Sequence, residues 1–340
     1  MPYEISTGRD LKADWFQNAL AENRFETWFQ PVIDTSGHRI LGHECLIRLR
    51  DEQSGEGETF RSGERIMAAA RAGNHLPLFD SRAMALAVRA AAGQSRSVED
   101  RGIPESGGGK DRGVFFVNML PGSMLEPQKS MRLAMEALAA AQQTSGVRAE
   151  NFVFEMVDSD LTGDSSRVRV AHDYIRRQGC GFALDNTGLG LGKRQGEMGS
   201  TTFEMIRDLR PDYIKIDQQL VWNIEQPVCA STVRKLVELS DRYGAKVIAV
   251  GVERHRMVEN LWLLGVQVMQ GYLFGRPSPG IARSGPQAEC RMGCISSNDL
   301  ANLALALVPE RRGSDLNTDL EVTADTSWHR HETPLFADLN

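Results

Sequence analysis

Val247-Ile-Ala-Val-Gly-Val-Glu253, followed by Gln270-Gly-Tyr-Leu-Phe-Gly-Arg-Pro277, is the stretch on which the architecture turns. It reads as a buried strand, a glycine turn and a carboxylate, then a helix over 255–264, a strand over 266–269 and a Gly/Arg/Pro loop. The same unit repeats toward the N-terminus, where short apolar strands end in polar side chains. Residues 212–216 carry Lys215 and lead to Asp217, residues 179–184 end at Asp185-Asn186, residues 152–154 at Glu155, and residues 114–117 at Asn118. Val250 breaks the series, because there the strand ends in an aliphatic side chain.

Helices are expected between these strands, at 127–143, about 168–175 and 202–209, with another marked by Val233, Leu236 and Val237 and stopping at Gly244. Further upstream, helical patterns lie at 11–24, 62–73 and 76–92, and strands at 25–33 and 40–49. The four residues 35–38 between those two strands cannot hold a crossover helix, so the pair is expected to be an antiparallel hairpin. Eight apolar strands, the last six separated by helices, predict an α/β fold with a parallel sheet closed into a (β/α)8 barrel, irregular at its first strand. In such a barrel the site forms where the strands end, which is where the polar residues fall.

The barrel is expected to take residues 1–280, with 93–113 a surface insertion containing Gly107-Gly108-Gly109 and 187–201 an extended glycine-rich loop. Residues 281–310 read as a helical extension and 311–340 as a poorly ordered tail. The chain has 340 residues, 41% hydrophobic and 25% charged, with a net charge of −6, which argues against a DNA or RNA polymer as partner. No apolar run reaches the length of a membrane span and no signal peptide is evident. Five scattered cysteines suit reduced thiols and a cytoplasmic setting; Cys290 and Cys294 lack the second Cys/His pair of a zinc site.

Glu44, Asn118, Glu155 and Asp185 lie at four strand ends of one expected barrel. Carboxylates brought together repel and take up protons; a hard divalent cation such as Mg²⁺, Mn²⁺ or Ca²⁺ removes that penalty with oxygen ligands. Helix capping or pairing with arginine is the plainer role for any one of them. Lys215 and Asp217 share a strand face; if it is the inward one, both sit in the barrel mouth, where the lysine can orient a water or hold a phosphate oxygen, a role compatible with an internal Lys215–Asp217 ion pair. Arg48 shares the face of Glu44 and is suited to an anion, as is Arg276 on weaker grounds. The glycine run at Gly188, Gly190 and Gly192 has neither P-loop nor dinucleotide-fingerprint spacing.

In this order the motifs resemble the EAL-domain family, bacterial cyclic-di-GMP phosphodiesterases and their degenerate receptor relatives. The likeness covers about residues 11–280 and rests on Gln30-Pro31, Glu44-Cys45-Leu46-Ile47-Arg48, Phe116-Val117-Asn118, Phe154-Glu155, Ala183-Leu184-Asp185-Asn186, Asp212-Tyr-Ile-Lys215-Ile-Asp217, Gly251-Val-Glu253 and Gln270-Gly-Tyr-Leu-Phe-Gly-Arg-Pro277. The resemblance implies a modified, TIM-like (β/α)8 barrel with an antiparallel first strand. It implies that Glu44, Asn118, Glu155 and Asp185 hold a first Mg²⁺ or Mn²⁺, that Lys215 and Asp217 serve catalysis, and that Gln30, Leu46, Arg48, Asp80, Asn118, Glu253 and Gln270 contact the nucleotide. It also implies a second ion held by Asp185, the next residue and the residue at 250. Those two positions are Asn186 and Val250, so one ion is expected rather than two.

The loop after Asp185 departs from the family's Asp-Asp-Phe-Gly-Thr-Gly and is about ten residues longer than usual, which bears on metal binding and dimer coupling. Two-metal phosphodiester hydrolysis uses ions about 3.5–4 Å apart to activate water and stabilise the leaving oxygen. A pocket that keeps its nucleotide groups and loses the second ion is expected to be a cyclic-di-GMP-binding effector acting on a protein partner, with a homodimer possible. The alternatives are a slow metal-dependent phosphodiesterase releasing linear pGpG, and an interaction module that no longer binds nucleotide. No sensory or cyclase domain fits in the chain, so input is expected from a partner or the ligand.

Overall fold

The computed structural model describes residues 14–37, 39–51, 59–61, 63–99, 113–120, 126–157, 165–188 and 200–281. Every described residue belongs to one compact unit within Met1–Ser296. The expectations for residues 282–340, for Gly107-Gly108-Gly109 and for most of the 187–201 loop lie outside the described residues.

Eight strands close a barrel. They are β1 (Phe25–Asp34), β2 (Arg39–Asp51), β4 (Val114–Asn118), β5 (Phe152–Val157), β6 (Gly181–Thr187), β7 (Tyr213–Ile216), β8 (Lys246–Ala249) and β9 (Val268–Gln270). Neighbours run β1-β9-β8-β7-β6-β5-β4-β2, and β1 pairs with β2 to close the ring. β1 is antiparallel to both its neighbours, β2 and β9, while the other pairings around the ring are parallel. The short turn after β1 imposes this, as the hairpin reading predicts. A short β3 (Thr59–Arg61), which the sequence reading missed, pairs with the end of β2.

Helices cover the outside: α1 (Asp14–Ala21), α2 (Gly63–Ala72), α3 (Leu76–Glu99), α4 (Pro127–Ser130), α5 (Arg132–Ser145), α6 (Ser165–Arg177), α7 (Ser200–Leu209), α8 (Gln218–Trp222), α9 (Pro227–Tyr243) and α10 (His255–Leu263). α9 stops where Gly244 takes φ 78°, the left-handed C-terminal geometry that glycine adopts without a Cβ penalty. Two expected boundaries are corrected. Residues 93–99, assigned to an insertion, are the last turns of α3. Glycine in a helix costs about 1 kcal/mol relative to alanine, but Gly93 is exposed and the buried Met84, Val88, Ala91 and Ala92 hold the preceding turns to the core. Thr187, assigned to the loop, is the last residue of β6 and is fully buried.

Two apolar layers result from strand alternation. Outward side chains such as Phe115, Phe152, Phe154, Phe182, Leu184, Ile214 and Ile216 pack under the helices. Inside, one residue from each strand forms a closed cluster: Val32, Leu41, Phe116, Val153, Ala183, Tyr213, Ile248 and Val268. This interior cluster is the floor on which the site stands.

Candidate functional site at the barrel mouth

Alternation fixes what lies one step above the floor. Two residues beyond Phe116, Val153, Ala183, Tyr213, Ile248 and Val268 stand Asn118, Glu155, Asp185, Lys215, Val250 and Gln270. β1 runs the other way, so its contribution is Gln30, two residues before Val32. β2 contributes Glu44, because the register shift opposite Val32/Ile33 leaves Leu41 without a partner and changes the parity of the strand. Seven of these eight inward positions are polar, and Val250, half-buried, is the apolar one.

Lys215 is the hub. Its ammonium is buried and lies 2.9 Å from Glu155 Oε2 and 3.0 Å from Glu44 Oε2. Gln270 Nε2 donates to Glu44 Oε2 at 2.6 Å and to Gln30 Oε1 at 3.2 Å, and Asn118 Nδ2 donates to Glu44 Oε1 at 3.1 Å. Burial pushes the Glu44 pKa up, but Lys215, Gln270 and Asn118 outweigh it and bring it to about 2. Glu155 goes the other way: burial dominates, and its carboxyl sits well above the usual range despite Lys215. Asp185 is also raised, first by burial, with Glu44 and Asp217 adding to it. Lys215 is raised, the three carboxylates overcoming the cost of its burial.

One ammonium thus faces three carboxyl groups, and Glu155 Oε1 is buried without a hydrogen-bond partner. An orphaned buried oxygen in an oxygen-rich, acid-rich pocket fits a hard divalent cation. As the side chains stand, no three His, Cys, Asp or Glu groups among the described residues surround a common point. The Lys215 ammonium contacts Glu44 Oε2 and Glu155 Oε2, whereas the unpaired oxygen is Glu155 Oε1.

Asp217 does not pair with Lys215, which corrects the ion-pair reading: its Oδ1 accepts from Gln219 N at 2.7 Å and caps α8. A strand ending directly in a helix makes the first carboxylate a capping group. Asn186 takes φ 51°, left-handed geometry that asparagine tolerates, at the irregularity in the β6–β7 register. Glu253 is exposed on the rim.

Beside this centre a cavity of about 280 Å³ is lined by Glu44, Leu46, Arg48, Asp80, Asn118 and Leu120 among others. It lies where β2 parts from β4, whose pairing ends at Cys45 and Val117. Asp80, buried on α3, accepts from Leu120 N at 3.2 Å. Arg48 Nη1 donates to Ile47 O at 2.8 Å, and its Cζ lies 5.8 Å from the centre of the Trp28 ring. Burial lowers the Arg48 pKa, opposed by Glu44 and Tyr272. The structure therefore gathers Gln30, Glu44, Asn118, Glu155, Asp185, Lys215 and Gln270 in one layer, and Leu46, Arg48 and Asp80 around the adjoining cavity. Sequence reasoning passed over Trp28, although it stands two residues before Gln30 on the same strand face; the alternation that selected Arg48 also marks it.

Comparison with known proteins gives a consistent picture. A family profile described as the EAL domain matches residues 13–277. The chain is 27% identical over 257 residues to the cyclic di-GMP phosphodiesterase PA2567 of Pseudomonas aeruginosa, covering 75% of this chain and 39% of that protein. It is 24% identical over 251 residues to the probable cyclic di-GMP phosphodiesterase PdeI of Escherichia coli, covering 74% and 28%. The chain thus spans less than half the length of these relatives. Among solved structures it is similar to a PaMucR phosphodiesterase in complex with c-di-GMP, with TM-score 0.62, 21% identity and coverage of 79% and 97%. It is also similar to Klebsiella pneumoniae BlrP1 in a manganese/cy-diGMP complex, with TM-score 0.58, 25% identity and coverage of 75% and 56%.

Proposed function

This chain belongs to the EAL domain family, and on that premise we propose that its barrel mouth binds cyclic-di-GMP and serves signalling with little or no hydrolysis. The observation that carries this is the composition of the inward layer. Seven of its eight positions are polar, and the strand that offers Val250 contributes no oxygen, while Asn186 replaces a charged ligand by a neutral one. Glu44, Asn118, Glu155 and Asp185 would hold one Mg²⁺ or Mn²⁺, which supplies a Lewis acid for a phosphodiester oxygen. The chain's own groups do the rest. Arg48, Gln30 and Gln270 bind the ligand's polar atoms, the cavity bounded by Leu46 and Asp80 takes a base, and Glu253 stands at the rim. Lys215 keeps Glu44 ionised and aimed inward.

A second reading is favoured by the retention of all four first-ion residues together with Lys215 and Asp217: slow phosphodiesterase activity releasing pGpG, in which Lys215 and Asp217 orient the attacking water. Calorimetry with cyclic-di-GMP, with and without Mg²⁺, tests binding, and absence of binding in both conditions leaves only an interaction module. Chromatography of the nucleotide after long incubation with Mn²⁺ separates effector from slow enzyme. The effector reading includes a protein partner, a cytoplasmic setting and the option of a homodimer. Among the described residues no helix is long and apolar enough to cross a membrane.

A further inference from the structure

The hairpin of β1 and β2 continues past the barrel, because β9 pairs only with Val32–Asp34 and β4 only with Gly42–Cys45. Its register pairs Gln30 with Glu44, Trp28 with Leu46 and Glu26 with Arg48. These three rungs share one face and are roughly 7 Å apart. The lowest rung belongs to the hydrogen-bonded layer around Gln270. The opposite face, with Thr27, Phe29, Cys45 and Leu49, is buried. Trp28 is therefore on the mouth side, and it is half-buried there.

Its surroundings are built from flat cations and rings. Arg48 Cζ lies 5.8 Å from the Trp28 ring centre. Trp28 Nε1 lies 3.5 Å from Glu26 Oε2, and Glu26 is bound in turn by Arg50 at 3.2 Å, which limits how the indole turns. The rim loop is tied to the hairpin by Gln30 Nε2 donating to Gly275 O at 3.2 Å and by the bridge between Phe29 and Ser278. That loop carries Tyr272, which is 46% exposed and has Arg276 Cζ 4.2 Å from its ring centre. Hairpin and rim loop thus each carry an aromatic ring beside a guanidinium, Trp28 with Arg48 and Tyr272 with Arg276. Such exposed pairs contribute little to fold stability, but aromatic faces beside arginine are what proteins use to hold nucleobases.

We propose that Trp28 is a base-stacking residue that holds one purine of a cyclic dinucleotide against the hairpin wall, one rung above the hydrogen-bonded layer, with the Arg48 guanidinium beside the ring. This rests on the nucleotide-binding reading above and adds to it a residue outside the motifs that carry the family resemblance. The phosphodiester ring then lies over Gln30, Glu44 and Gln270, and the base reaches up the strand to the indole.

The test is titration of the full chain with cyclic-di-GMP by calorimetry and by tryptophan emission, for the unmodified protein, W28A, W28F and R48A. Binding is expected to weaken by roughly 5- to 150-fold in W28A, the range that base–aromatic stacking energies correspond to. W28F, which keeps a ring, is expected to bind within a few-fold of the unmodified protein while losing most of the ligand-induced emission quench. A merely structural role for Trp28 would leave that quench in place. If W28A does not fold, the W28F emission experiment decides alone. Unchanged affinity in W28A together with strong loss in R48A overturns the stacking role and leaves the nucleotide reading intact. If the unmodified protein binds no cyclic-di-GMP, both fall together.

Discussion

Lys215 illustrates how a single side chain balances the mouth. Its ammonium compensates Glu44 and Glu155 in a site with almost no water access. Removing one partner from a buried ion pair typically costs about 3–5 kcal/mol, since the remaining charge is left uncompensated. Lys215→Met is therefore expected to lower stability by roughly that amount in urea denaturation at neutral pH. Its melting temperature should also rise more on adding Mg²⁺ or Mn²⁺ than that of the unmodified protein, because three carboxyl groups then lack an internal cation. An equal metal response in both would count against an ion among Glu44, Glu155 and Asp185. The complementary change concerns the positions that lack charge. Asn186→Asp with Val250→Glu is expected to introduce Mn²⁺-dependent conversion of cyclic-di-GMP to pGpG, read by chromatography. Aspartate also tolerates the left-handed geometry at position 186, so the backbone does not oppose the exchange. Persistent inactivity of the double variant would move the defect to the altered loop that follows Thr187.

At the scale of elements, the strand-to-helix junction after β7 decides what Asp217 does. Its carboxylate accepts the Gln219 N–H at 2.7 Å and ends the strand by starting α8. Loss of such a cap costs about 0.5–2 kcal/mol. Asp217→Ala is expected to lose that much in thermal or chemical denaturation, while Asp217→Asn, which still accepts, stays near the unmodified protein. If Asp217→Asn keeps its stability but changes nucleotide turnover or binding, the carboxylate does more than cap. The hairpin shows the complementary case. Its strands were legible from the alternation of Phe25 to Ile33 and Ile40 to Leu49, and its antiparallel sense from the shortness of the turn. The irregularity opposite Val32/Ile33 was passed over, although Gly42 inside the second strand is the kind of residue that marks a bulge or a close backbone approach, and a Cβ there would sit 2.0 Å from Val114 O. That bulge is what lets Leu41 face the barrel floor and Glu44 face the mouth. The continuation of α3 to Glu99 was missed for a related reason. Gly93 reads as punctuation along the chain, yet the preceding turns are anchored by packing that sequence spacing does not report.

For the molecule as a whole, the barrel closes where the first hairpin meets the last strand. Thr35, nearly buried just beyond β1, donates from Oγ1 to Gln267 O at 2.6 Å and accepts from Trp262 Nε1 at 2.8 Å. It joins the hairpin turn to α10 and to the start of β9 across that seam. Thr35→Val is expected to cost about 1–3 kcal/mol, the penalty for leaving buried polar partners unsatisfied, and to appear as a lower melting temperature. Should stability be unchanged, the seam is held by the β1–β9 pairing alone. The sequence by itself determined the α/β alternation, the antiparallel first strand, the polar residues at the strand ends and the anomaly at Val250. Each follows from periodicity and turn length, which are local properties of the chain. Only the tertiary structure decided that Lys215 pairs with Glu44 and Glu155 rather than with Asp217, and that a bulge in the hairpin brings Leu41 to the floor and Glu44 to the mouth. Those outcomes depend on distances and register between strands far apart in the chain, which spacing along the sequence does not encode.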